Sequence, residues 1–100
     1  MRIDFLFWRE CPSHPEARAL LRDVLEERNV EADLVEHEVL TQDEAEELAF
    51  PGSPTIRVDE RDIDPGGAGA RPSLTCRIYH LPDGRSSPVP SREQLEEALA

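Results

Sequence analysis

RIDFLFWRECPSHPEARALLRDVLEERN, residues 2–29, joins two different hydrophobic periods through a short proline-containing turn. Ile3, Phe5 and Phe7 alternate with Asp4 and Leu6, which predicts a strand over 2–8. Arg9, Glu10, Cys11, Pro12, Ser13, His14 and Pro15 read as a turn-like run. Ala17, Leu20, Leu21, Val24 and Leu25 then recur at helical spacing, with charges on the other face. They predict an amphipathic helix over 15–28, stopped at Asn29.

Working outward, Ala32, Leu34, Val35, His37 and Val39 mark a second strand over 32–39. Thr41-Gln42-Asp43-Glu44 has the form of a capping box, in which hydroxyl and carboxylate each take up a free N–H. It opens a short helix with Ala45, Leu48 and Ala49 as its buried stripe, ended by Pro51 and Gly52. Thr55-Ile56-Arg57-Val58 is a strand. Asp59-Glu60 is a hairpin turn without the favoured glycine, and Arg61-Asp62-Ile63 is the returning edge strand. Residues 64–73 hold three of the five glycines with Pro65 and Pro72, and read as loop. Leu74, Cys76 and Ile78 alternate, as a short strand or one helical turn. Pro82, Asp83, Gly84, Pro88 and Pro90 mark more loop. Ser91-Arg92-Glu93-Gln94 is a second capping box, opening a last helix with Leu95, Ala98 and Leu99 inward. The order β-α-β-α-β-β-loop-α predicts one α/β domain over 1–100 with right-handed crossovers.

Composition narrows the function. The 22 acids and 11 bases give a net charge of −11. That excess disfavours nucleic acid and anionic membrane surfaces, both of which need a basic footprint. Every base is arginine, so Schiff-base chemistry and a P-loop lysine are excluded. No run approaches the ~18–20 apolar residues that span a bilayer. The first residues are too quickly charged for a signal peptide, and a cytoplasmic location is the expectation. Cys11 and Cys76 are too few for a disulfide scaffold or a four-cysteine zinc site.

Cys11 is the first candidate for chemistry. Either Cys11 is the helix N-cap with Pro12 at the first helical position, or Ser13 caps with Glu16 completing a box. Both place the sulfur at a helix N-terminus, whose free N–H groups and dipole favour a thiolate. The thiol then falls below its ordinary value of about 8.5. His14 stands three residues on, as an added positive charge or an acceptor of the thiol proton, while Glu10 and Glu16 oppose it. The second candidate is Gly52-Ser53-Pro54-Thr55, a proline at the start of a strand.

A βαβ unit with Cys11-Pro12 at the first helix start, followed by Gly52-Ser53-Pro54-Thr55 before a hairpin, resembles the thioredoxin superfamily. It is most similar to small bacterial members with one active-loop cysteine. The resemblance covers residues 1–63 and the last helix. It implies a three-layer α/β/α sandwich around a mixed four-stranded sheet, with an extra loop-rich segment before the last helix. It implies Cys11 as the nucleophile and Pro54 as a cis-proline beside it. It also implies a substrate surface of Trp8, Pro12, Ser13, Ser53 and Pro54, with the Ser53 backbone pairing to a bound peptide or thiol.

The chain departs from that pattern in two places. His14 stands where a second cysteine is usual, so Cys11-Pro12-Ser13-His14 closes no disulfide. Residues 64–90 have no counterpart in a minimal member, and they carry Cys76. Cys76 is read two ways. One is a resolving thiol brought to Cys11. The other, favoured, is a small hydrophobe buried on one face with Leu74 and Ile78. Three functions follow: thiol–disulfide exchange with a protein or small-molecule partner, a thioredoxin-fold binding module without chemistry, and soft-metal binding by two thiolates. No cofactor is expected. A zinc site from Cys11, His14 and Cys76 is the weakest option. His37, His80 and Tyr79 are read as structural, surface or isolated residues.

Overall fold

The computed structural model describes residues 1–100, the side chain of Ala68 excepted. Its main sheet has four strands: β1 (Arg2–Phe7), β2 (Asp33–Glu38), β3 (Thr55–Val58) and β4 (Arg61–Asp62), in the order β2-β1-β3-β4. β1 runs parallel to β2, with Phe5 opposite Glu36, and antiparallel to β3, with Phe5 opposite Ile56. β3 and β4 form an antiparallel hairpin. The sheet is therefore mixed, and the domain is α/β.

Alternation along β1 assigns its two faces. Ile3 and Phe5 point into a core with Ala17, Leu21 and Val24 from α1 (His14–Glu27), Ile56 from β3, and Leu95 and Leu99. The last two belong to α4 (Arg92–Ala98) and its C-cap, so α1 and α4 cover one face. Leu6 points the other way, into a cluster with Val39, Ala45 and Phe50. Ala45 lies on α2 (Gln42–Glu47), which covers that second face. Arg57 on β3 holds the end of α2 by donating to the carbonyls of Leu48 (2.8 Å) and Ala49 (3.0 Å). It supplies the positive group that the last turn of α2 lacks. Asp4, the buried acid of β1, pairs with Arg2 (3.0 Å) and with His37 (3.3 Å), so His37 is a structural partner.

Several local expectations are corrected. The Ser91 box forms in both halves. At Thr41 only the hydroxyl half forms, accepting from Glu44 N–H at 3.1 Å. Ala49 is exposed rather than buried. The chain turns left-handed there (φ 51°), which ends the helix and sends Phe50 into the core in its place. The β3–β4 turn is tight, with Asp59 (φ 48°) and Glu60 (φ 71°) both left-handed, and the returning strand stops before Ile63. Within 64–73 a single helical turn forms, α3 (Pro65–Ala68). Leu74–Ile78 is not a regular strand, and it makes one isolated bridge at Cys76. A small hairpin that the pattern did not announce joins β5 (Tyr79–His80) to β6 (Ser86–Ser87). Among the described residues no helix is long and apolar enough to cross a membrane.

Candidate functional site

Cys11 lies between β1 and α1, completely buried. Its own N–H donates to the carbonyl of Trp8 (3.0 Å), which closes the turn after β1. The helix start takes the second expected position but not its capping box. Ser13 is the N-cap, but its backbone is helical (φ −92°, ψ −10°) and its side chain caps nothing. The Ser13 hydroxyl instead lies 3.0 Å from the Cys11 sulfur. An N-cap that would have served the helix is diverted to the thiol.

Pro54 stands across from it, and the Ser53–Pro54 bond is cis. The Cys11 sulfur is 3.4 Å from the Ser53 carbonyl oxygen. The Ser53 hydroxyl accepts from the Trp8 backbone N–H (3.0 Å), which leaves its own hydrogen free to point at the sulfur. Trp8 is half-buried, and its ring packs with Leu48 and Leu74 against the second core. Trp8 thus acts here through its backbone, at both Cys11 and Ser53.

His14 does not act on the sulfur by any hydrogen bond among the described residues. Its Nδ1 is 2.6 Å from the Cys11 carbonyl, and its ring stacks on Phe7 with centroids 4.8 Å apart. The helical backbone at 13–14 aims that side chain back along the strand end. The expected role as proton acceptor is replaced by a brace on the Cys11 main chain.

The segment after α3 completes the site. Ser53 and Cys76 form a parallel bridge. The Ser53 N–H donates to the Thr75 carbonyl (2.7 Å), and the Arg77 N–H donates to the Ser53 carbonyl (2.9 Å). The Ser53 main chain, expected to be open to a bound peptide, is therefore already paired with this chain's own residues. Cys76 is exposed, against the favoured expectation of burial, and Ile78 beside it is 56 % exposed. Irregular backbone at 74–78 breaks the alternation that would have turned Cys76 inward with Leu74.

Residues that sequence reading passed over hold this segment down. Arg77 is buried and forks onto Asp62, with Nη1 to Oδ2 at 2.8 Å and Nη2 to Oδ1 at 3.2 Å. Nη1 also donates to the Thr55 hydroxyl (3.1 Å), and the guanidinium lies over the Tyr79 ring at 4.3 Å. The Tyr79 hydroxyl donates to the Pro54 carbonyl (2.6 Å), so Tyr79 is a core residue rather than an isolated one. Two glycines make room. A Cβ on Gly52 (φ +134°) would lie 2.9 Å from Arg77 Cβ, and one on Gly67 would collide with the guanidinium. Next to this clamp, His80 has a partner in Asp64, through its backbone N–H (3.2 Å) and its ring (3.6 Å). The signal for the clamp was weak in sequence. It was an arginine at 77 and two aspartates at 62 and 64, among many other charges.

The two cysteines are thereby brought to the same Ser53 main chain. Burial pushes the Cys11 thiol up. The Ser13 hydroxyl and N–H, the Ser53 hydroxyl and the Cys76 thiol all donate toward its sulfur, and they outweigh burial, so the thiol titrates below its ordinary value. Cys76 moves the opposite way. Burial, the proton it shares toward Cys11 and the charge on that sulfur all raise it. The arrangement makes buried Cys11 the more readily ionised thiol and exposed Cys76 the less readily ionised one. Both cysteines are free. Among the described residues no group of three or more His, Cys, Asp or Glu side chains is arranged to hold a metal ion.

No protein-family model, no curated protein and no solved structure matches this chain.

Proposed function

We propose that this protein is a thioredoxin-like thiol–disulfide exchange protein whose working pair is Cys11 and Cys76. The observation that carries the reading is the meeting of two cysteines distant in sequence. Cys76 bridges to Ser53, whose carbonyl oxygen lies 3.4 Å from the Cys11 sulfur, and three serine donors and the Cys76 thiol make Cys11 the more readily ionised of the two. The strand order β2-β1-β3-β4, helices on both faces, and a cis Ser53–Pro54 bond beside Cys11 support the thioredoxin-like part of the reading. Cys76 supplies the second sulfur that His14 does not.

The chemistry is a two-electron exchange. The dithiol and an external disulfide give the Cys11–Cys76 disulfide and two external thiols. Cys11 is the nucleophile of the internal step, because its thiol gives up its proton more readily than that of Cys76. Exposure of the reduced protein to glutathione disulfide, followed by peptide mapping, tests this. A crosslinked Cys11–Cys76 peptide formed from the native fold is expected. Two thiols that remain separate in the native protein, yet react after unfolding, defeat the reading.

The same juxtaposition favours one other use, a two-thiolate site for a soft cation such as copper(I). Copper retained through gel filtration by the wild type, and lost by C76S, is its signature.

A further inference from the structure

Exchange at sulfur requires the incoming sulfur to approach along the line of the bond that breaks. The two sulfurs of this pair differ in whether any such line is open. Cys11 is completely buried, closed in by Ser13, the Ser53 carbonyl and Cys76. Cys76 is exposed. The cover over Cys11 is not a free loop. It is tied at Thr75 and Arg77 to the Ser53 main chain, and the Arg77 side chain is locked to Asp62 beneath it.

We propose that external thiols and disulfides exchange only at the Cys76 sulfur, and that Cys11 is the internal thiol that resolves the mixed disulfide formed there. The proposal rests on the thiol–disulfide reading above and assigns its substrate-facing atom. In the reducing direction the Cys76 thiol, which is open to solvent, gives its proton to water, and the resulting thiolate attacks an external disulfide RSSR. One RS⁻ leaves and takes a proton from water, and Cys76 carries the SR group. Cys11, its proton passed to water, then attacks the Cys76 sulfur as the thiolate, the bond to SR breaks, and the second RS⁻ leaves and takes up a proton from water. Two electrons have passed from the protein sulfurs to RSSR, which becomes two RSH. In the oxidising direction an external thiolate attacks the Cys76 sulfur of the internal disulfide. Cys11 departs as the thiolate that Ser13 and Ser53 are placed to hold, and a second external thiolate attacks the outer sulfur of the mixed disulfide, so that RSSR leaves and the Cys76 sulfur takes a proton from water.

This order inverts the expectation drawn from the active-loop position of Cys11, in which Cys11 meets the substrate and Cys76 resolves. It also gives the opposed shifts of the two thiols a use. The sulfur that must leave is the better leaving group, and the sulfur that must be reached is at the surface.

The test uses bis(2-hydroxyethyl) disulfide, a small uncharged probe, on the wild type, C11S and C76S. In the wild type, acid quenching at early times should map the first adduct to Cys76, followed by closure of the internal disulfide. C11S should hold the Cys76 adduct without resolving it. C76S keeps the cover almost isosteric, and its Cys11 should react at least tenfold more slowly than Cys76 does in C11S, until denaturant is added. An early wild-type adduct on Cys11, or a C76S protein that reacts as fast as C11S, overturns the proposal and leaves the exchange function standing. A wild type that never closes the internal disulfide overturns both.

Discussion

Ser13 is the residue on which the electrostatics of the site turn. A serine before a helix ordinarily gives its oxygen to a free N–H of the first turn. Here it serves the sulfur instead, 3.0 Å away, and the helix start has no side-chain cap. S13A should move the Cys11 titration upward, as read by thiolate absorbance. A hydrogen bond to a charged group is worth about 1.5 kcal/mol, so at a pH that ionises Cys11 the equilibrium with glutathione should shift toward the internal disulfide by roughly tenfold. The pH dependence of stability follows from the two opposed shifts. Cys11 is lowered, so its contribution is absent below its folded value, grows with pH and is complete above the unfolded thiol value. Cys76 is raised, so its contribution is present below the unfolded value and is lost as pH rises through the folded one. Reduced protein should therefore gain stability approaching the ordinary thiol range from below and lose it again in stronger alkali. Urea midpoints across a pH series measure this, and S13A should flatten the rising limb.

Elements carry two further predictions. The β3–β4 turn forces two non-glycine residues into the left-handed region, at Asp59 and Glu60. Asp59 is needed, because its carboxylate accepts from the Arg2 N–H at 2.9 Å. Glu60 makes no such bond among the described residues. E60G should stabilise the fold by about 0.5–1 kcal/mol in chemical denaturation, since glycine adopts this backbone without a Cβ penalty. The clamp between the hairpin and the Cys76 segment should respond in the opposite direction. The side chains of Arg77 and Asp62 are 3 % and 6 % exposed. R77M leaves a buried carboxylate without its partner, and breaking such a pair costs about 3–5 kcal/mol. The same variant should slow closure of the Cys11–Cys76 disulfide, because the segment that presents Cys76 is no longer tied down. Stopped-flow closure kinetics in native buffer report that loss separately from global stability.

The whole molecule carries 22 acids against 11 bases in a chain of 100 residues. Its arginines are largely consumed locally, as in the pairs of Arg18 and Arg22 with Glu36 and of Arg92 with Glu27. The excess acids repel one another across a body only 36 × 30 × 22 Å in extent, where many separations fall within or near a Debye length at low salt. Screening should relieve that self-repulsion more than it weakens the exposed pairs. The thermal midpoint should rise between low and moderate sodium chloride. A midpoint that falls instead would show the surface pairs to be the stronger effect.

Periodicity and capping chemistry are local, and the sequence by itself determined what they control. The alternation of Ile3, Phe5 and Phe7, the helical stripe from Ala17 to Leu25, and the reciprocal Ser91–Gln94 box each act over a few residues. The strand and both long helices followed from them. Cys11 at a strand–helix junction and the proline of Gly52-Ser53-Pro54-Thr55 were legible for the same reason. What residues 64–90 do was not legible. Their backbone is irregular, and their placement depends on the Arg77–Asp62 fork, the Tyr79–Pro54 bond and room left by Gly52 and Gly67. Those contacts join residues far apart in the chain, and no local pattern encodes them. Only the tertiary structure decided that Cys76 is exposed rather than buried, that its backbone joins Ser53 beside Cys11, and that Ser13 serves a sulfur rather than a helix. A single hydroxyl has two possible partners within reach, and the choice between them belongs to the folded surroundings rather than to the spacing of residues.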